Sequence, residues 1–151
     1  MLSRILFLGL TLTFFACQKP ASDSSTADAA TSETPQLTGT YAFEAGARSG
    51  ELKVVQDDTS IQFDLLVVGP PPAYNQGYMG GEATLGSDTM TATYSISEFG
   101  GVCELSFSFD AETATIETLQ GDSPTCGFGR GVMADGTYTR TSTDTPTIEE
   151  L

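Results

Sequence analysis

The chain has 151 residues, with 20 acidic against 6 basic side chains, no histidine and no tryptophan, and a formal net charge of -14 at pH 7. A chain of this size has room for one modest core. Its negative field disfavours nucleic acid and anionic headgroups and steers cationic partners in, while the lack of imidazole excludes Ser-His-Asp and Cys-His catalysis and histidine metal sites.

Taken from the N-terminus, Arg4 precedes the apolar run Ile5 to Phe15, then small Ala16, then Cys17. This is the layout of an export signal over residues 1–16. A helix of that apolar run extends about 16 Å, roughly half of a bilayer core, too short for a permanent span. The stretch Phe14-Phe15-Ala16-Cys17 resembles the lipobox of bacterial lipoproteins, with Phe14 standing where leucine is usual. That resemblance implies cleavage before Cys17, diacylation of its sulfur and acylation of the new N-terminus. Gln18 in the next position implies onward sorting to the outer membrane of the bacterial cell envelope. Several acyl chains, at about 0.8 kcal/mol per buried methylene, make such an anchor lasting.

Residues 17–36 form the lipidated cysteine and a polar tether rich in Ala, Ser, Thr, Asp, Glu and Pro, with nothing to bury and an r.m.s. reach of about 25 Å. From residue 37 to residue 141 the texture changes to short apolar and polar alternations punctuated by Gly and Asp, the period of half-buried strands. Leu37, Tyr41 and Phe43 share a face of the first strand, and Leu52 and Val54 mark the second. Ile61, Phe63, Leu65 and Val67 alternate along the third, after a turn at Asp57-Asp58-Thr59-Ser60. A short fourth strand is predicted near Gly81 to Leu85. The fifth carries Met90, Ala92, Tyr94 and Ile96 on one face, the sixth Cys103, Leu105, Phe107 and Phe109. Thr113 to Leu119 makes the seventh and Gly136 to Thr141 the eighth. The predicted fold is all-β: a small antiparallel eight-stranded meander closed into a barrel, since closure removes exposed edges, with a two-sheet sandwich as the alternative. Residues 142–151, polar and acidic around Pro146, are predicted to be a disordered tail.

The triplets Gly39-Thr40-Tyr41 and Gly136-Thr137-Tyr138 are predicted to be neighbours across the seam of the first and last strands. With Cys17 assigned to lipid, Cys103 and Cys126 remain. In an oxidising compartment they are most simply one disulfide, because the start of strand six and the loop after strand seven meet in an antiparallel hairpin. The glycine-rich run Cys126 to Val132 lacks the Gly-Lys-Ser/Thr ending of a phosphate loop. Its glycines are expected to allow close backbone approach, with Phe128 folded over the core.

The connection Gly69 to Gly80 is read as a long loop stiffened by Pro70, Pro71 and Pro72. Its residues Tyr74, Asn75, Tyr78 and Met79 are either a candidate binding loop or a lid over one barrel end. The adjacent acids Asp57 and Asp58 read as solvated turn residues, so no catalytic residue, metal ligand or cofactor is assigned. The run Leu37-Thr38-Gly39-Thr40-Tyr41 resembles the first strand of avidin-like barrels, but the tryptophans of their biotin pocket are missing. The chain is also similar in kind to small periplasmic lysozyme inhibitors, which are exported, often lipid-anchored, disulfide-stapled barrels, and it loosely resembles uncharacterised exported bacterial β domains. The expectation is a non-catalytic, membrane-anchored barrel that binds a protein, in its sharpest form a basic lysozyme. A barrel that holds a small hydrophobic ligand among Phe63, Tyr94 and Phe107, and a purely structural envelope component, are the alternatives.

Overall fold

The computed structural model describes residues 36–149. The predicted signal, Cys17 and most of the predicted tether lie outside the described residues. Alternation of apolar and polar side chains produces eight strands: β1 (Gly39–Ala45), β2 (Arg48–Gln56), β3 (Ser60–Val68), β4 (Gln76–Leu85), β5 (Thr91–Ile96), β6 (Cys103–Phe109), β7 (Thr113–Gln120) and β8 (Gly136–Ser142). Each pairs antiparallel with the next, and β8 returns to β1, so the sheet is a closed barrel in meander order. The sandwich alternative is thereby replaced by a single closed sheet.

One end of the barrel carries the tight β2–β3, β4–β5 and β6–β7 turns; we call it the turn end. Three of the chain's Asp residues fold their own local structure through an Asp-x-x-Thr pattern. At the turn end, the Asp88 carboxylate accepts the N–H of Met90 and Thr91 at 2.9 and 3.0 Å, and Asp110 accepts those of Glu112 and Thr113 at 2.8 and 2.7 Å. Asp122, in the β7–β8 loop at the other end, takes the N–H and hydroxyl of Thr125. Backbone N–H groups first at Asp88 and Asp110, and the Thr125 hydroxyl first at Asp122, favour the ionised form and hold all three carboxyls below the usual Asp range. The opposite, loop end carries the longer connections at 69–75, 97–102 and 121–135.

Inside, the predicted alternation holds: Tyr41, Leu52, Val54, Ile61, Phe63, Leu65, Val67, Leu105, Phe107 and Tyr138 are fully buried, each contributing about 1.5–3 kcal/mol through burial. Phe63 meets Phe107 at 4.9 Å and Tyr94 edge-on at 5.0 Å between ring centroids. The rings that would have lined a ligand cavity therefore pack on one another.

The Gly-Thr-Tyr triplets are not neighbours. β1 and β8 do pair, but antiparallel, so Tyr41 stands opposite Arg140 near the turn end while Tyr138 stacks against Phe43 at 5.1 Å near the loop end. Each triplet instead makes the same corner. Tyr41 Oη donates to Leu37 O and Tyr138 Oη to Ala134 O, both at 2.8 Å and both four residues back. An arginine donates to the carbonyl one residue further upstream: Arg140 to Gln36 O and Arg48 to Met133 O, each at 2.8 Å. The two guanidinium groups lie over the Tyr41 and Phe43 rings at 5.0 and 5.2 Å.

β4 begins at Gln76, five residues before its predicted start, so the long connection shrinks to 69–75. Glycines caused the misreading, because β4 places them where side chains would alternate. A Cβ on Gly77 would stand 2.5 Å from the Phe128 ring, and one on Gly81 would stand 2.8 Å from the Tyr94 ring. Residues 143–149, expected to form part of an unanchored tail, run back over the outer face of the sheet. Glu149 N–H donates to Asp64 Oδ2 at 2.8 Å, and Asp64 is only 5% exposed.

Candidate functional site

The four residues grouped as a binding loop are separated by the fold. Tyr74 alone is a projecting loop residue, 59% exposed and held at a positive φ of 48°. Asn75 closes the same loop, its amide donating to Arg130 O at 2.8 Å across to the β7–β8 connection. Tyr78 lies in β4 on the outer face, where its hydroxyl donates to Asp64 Oδ1 at 3.1 Å; desolvation and that carboxylate push its pKa up. Met79 points inward and is 4% exposed, so it is a core residue and no part of an exposed loop. The strand period of two dictates this split: Tyr78 and Met79 are consecutive, so they face opposite sides of the sheet.

The loop end is built around the disulfide. Cys103 opens β6 and bonds to Cys126 with their Cα atoms 5.0 Å apart, as the hairpin argument predicted. The bridge holds the β7–β8 connection across the barrel mouth, where Cys126, Phe128, Val132 and Ala134 are buried. Phe128 covers the core as expected, seated in the space left by Gly77, and Gly129 N–H donates to Gln76 O at 2.8 Å. The mouth is closed by this plug.

Beside polar residues such as Glu98 and Asp122, apolar side chains are exposed around the plug. Phe99 and Leu119 are 52% and 54% exposed, and Val102 is also exposed. Sequence reading missed these three. Leu119 shares the outward face of β7 with Thr115 and Glu117, opposite buried Ala114 and Ile116, and a bulge beside it, where Glu104 pairs with Gln120 and Leu105 with Thr118, leaves it without a ladder partner. Phe99 and Val102 sit in an irregular loop with no period to read.

Between Pro70, Pro71, Ala73, Arg130 and Val132 lies a shallow groove of about 270 Å³, below the roughly 300–1,000 Å³ of sites that enclose small molecules. Among the described residues, no three His, Cys, Asp or Glu side chains converge as metal ligands. Acidic side chains dominate the surface, with sixteen Asp and Glu against four Lys and Arg over residues 36–149. Six of those acids, Asp57, Asp58, Asp88, Asp110, Glu112 and Asp144, gather at the turn end, where the described chain enters β1 and leaves β8. The exposed apolar side chains Tyr74, Phe99, Val102 and Leu119 are at the opposite end. No family description matches the chain, and neither a curated protein nor a solved structure is significantly similar to it.

Proposed function

We propose that the chain is a lipid-anchored bacterial envelope protein whose barrel is a non-catalytic, protein-binding module for a basic partner. The observation that carries this reading is the filled interior. Phe63, Tyr94 and Phe107 occupy each other's contact surfaces, which leaves the exterior for recognition. There, aromatic and aliphatic side chains are exposed at the end away from the chain's entrance, the type of side chain that supplies interface anchors. The excess of carboxylates gives a partner such as a lysozyme complementary steering, and an anchor at Cys17 followed by a polar tether would leave the loop end facing outward.

Three measurements test the reading. Cys17→Ala should abolish acyl labelling and release the protein from the membrane fraction; labelling that persists would remove the anchor. A lysozyme should associate with the protein at low salt and more slowly at high salt, because exposed charges are screened beyond about 10 Å at 0.1 M ionic strength. Tyr74→Ala should speed its dissociation without shifting the melting midpoint. Failure to bind any lysozyme at low salt would eliminate the inhibitor form.

A further inference from the structure

The barrel closes unevenly. β4 pairs with β3 from Gln76 to Thr84, and β5 pairs with β6 from Thr91 to Ile96. Between β4 and β5, however, the ladder consists of Thr84↔Thr93 and Leu85↔Ala92 alone. The direction of the remaining β4 backbone groups follows from alternation. Gly69 N–H donates to Asn75 O and Leu85 N–H to Thr59 O, so odd-numbered β4 residues bond toward β3 and even-numbered ones face β5. Tyr78 and Glu82, both exposed, and Gly80, which is buried, therefore direct N–H and C=O groups into the seam without a β5 ladder partner. On the β5 side Phe109 N–H donates to Met90 O, so even-numbered residues face β6 and Ser95 faces the seam. Gly80 O receives a long hydrogen bond from Tyr94 Oη, at 3.4 Å.

The side chains report the same opening. The inward residues only partly buried against the core are Leu85, Met90, Tyr94 and Ile96, all from β4, β5 or their turn. Glu82 is exposed on the outer face of β4, and Glu98 is exposed in the loop just beyond β5, near enough to raise the Tyr94 pKa after desolvation has done so.

Resting on the protein-binding reading above, we propose that the β4–β5 seam accepts an extended segment of the basic partner as an added strand. Unpaired backbone groups of a sheet are a ready template for such addition, with main-chain hydrogen bonds supplying affinity and alternate side chains specificity. The inward side of the seam offers Tyr94 and Ile96, the outward side offers Glu82, and Glu98 is exposed at the end of the seam beyond β5. The segment that fits alternates apolar with Lys or Arg residues. A second copy of this chain is disfavoured by its own excess of carboxylates.

The test titrates the full-length protein, in detergent micelles, with a synthetic peptide of alternating valine and lysine, followed by hydrogen exchange. The amides of Tyr78, Gly80, Glu82 and Ser95 should exchange at least about tenfold more slowly when the peptide is bound. A peptide N-methylated at alternate residues, with the same charge and side chains, should bind at least about tenfold more weakly, as should the parent peptide to Glu82→Lys. Equal binding of the methylated peptide, protection confined to the loop end, or no binding would each overturn the proposal. Seam protection without peptide that grows with protein concentration would also overturn it, in favour of self-association. A lysozyme that binds without protecting the seam would defeat the strand addition alone and leave the protein-binding reading intact.

Discussion

Tyr138 and Tyr41 are buried phenols that each satisfy a backbone carbonyl four residues upstream, at 2.8 Å. Tyr138→Phe keeps the ring against Phe43 and removes only the donor, leaving Ala134 O without that bond. The expected loss is about 1–2 kcal/mol in a urea titration; a change within error would show that the carbonyl finds another donor. The same phenols set an alkaline limit. Desolvation pushes the pKa of Tyr41, Tyr94 and Tyr138 above the ordinary value near 10, outweighing the nearby arginine that favours ionisation of Tyr41 and of Tyr138. A raised folded-state pKa makes stability complete below the unfolded value and loses it as pH climbs toward the folded one. Stability should therefore be level from pH 8 to about 10 and fall above it, with phenolate absorbance of the buried rings appearing together with unfolding. Early, reversible titration of all five tyrosines in the folded protein would contradict this.

At the scale of elements, the β7–β8 connection is a plug tied to β6 by one covalent link. The Cys103–Cys126 bridge spans 23 positions, and in the chain-entropy model a loop of that size contributes about 3 kcal/mol. Cys103→Ala with Cys126→Ala should lower stability by about that amount and raise amide exchange across 121–135 before that of β2 and β3. Uniform loosening of the barrel would mean that the plug is no separate unit. The strands were legible wherever alternation was carried by large side chains: β3, β5 and β6 have the predicted inward faces, and Cys103 and Cys126 have the predicted partner. The first half of β4 was not, because its inward positions at Gly77 and Gly81 lend their volume to rings from elsewhere in the chain. The outward face of Leu119 follows from the alternation that places Ala114 and Ile116 inside, whereas the bulge beside it is fixed by pairing and leaves no local period. The loop grouping of Tyr78 with Met79 failed on the same strand.

For the molecule as a whole, charge is distributed as unevenly as shape. The turn end gathers acids, and residues 36–149 carry sixteen carboxylates against four cations; mutual repulsion of that kind weakens the compact state. Sodium chloride added up to about 0.5 M should raise the melting midpoint by screening it, and a midpoint that falls would show that favourable ion pairs dominate instead. The pairing of β8 with β1 carries a different consequence. Thr40 lies opposite Ser142, and Arg140 reaches back to Gln36 O at 2.8 Å, so the barrel closes on itself at the point where its first strand starts. In a ring of this kind the numbering is arbitrary: β8 and β1 are one more hairpin that lacks only its turn. A circular permutant with a short glycine-containing linker from Ser142 to Gln36, and new ends opened between Asp57 and Asp58, should fold with the same disulfide and melt in a single transition. A permutant that stays unfolded would show that the β2–β3 hairpin, intact in the natural order, is required to start the ring.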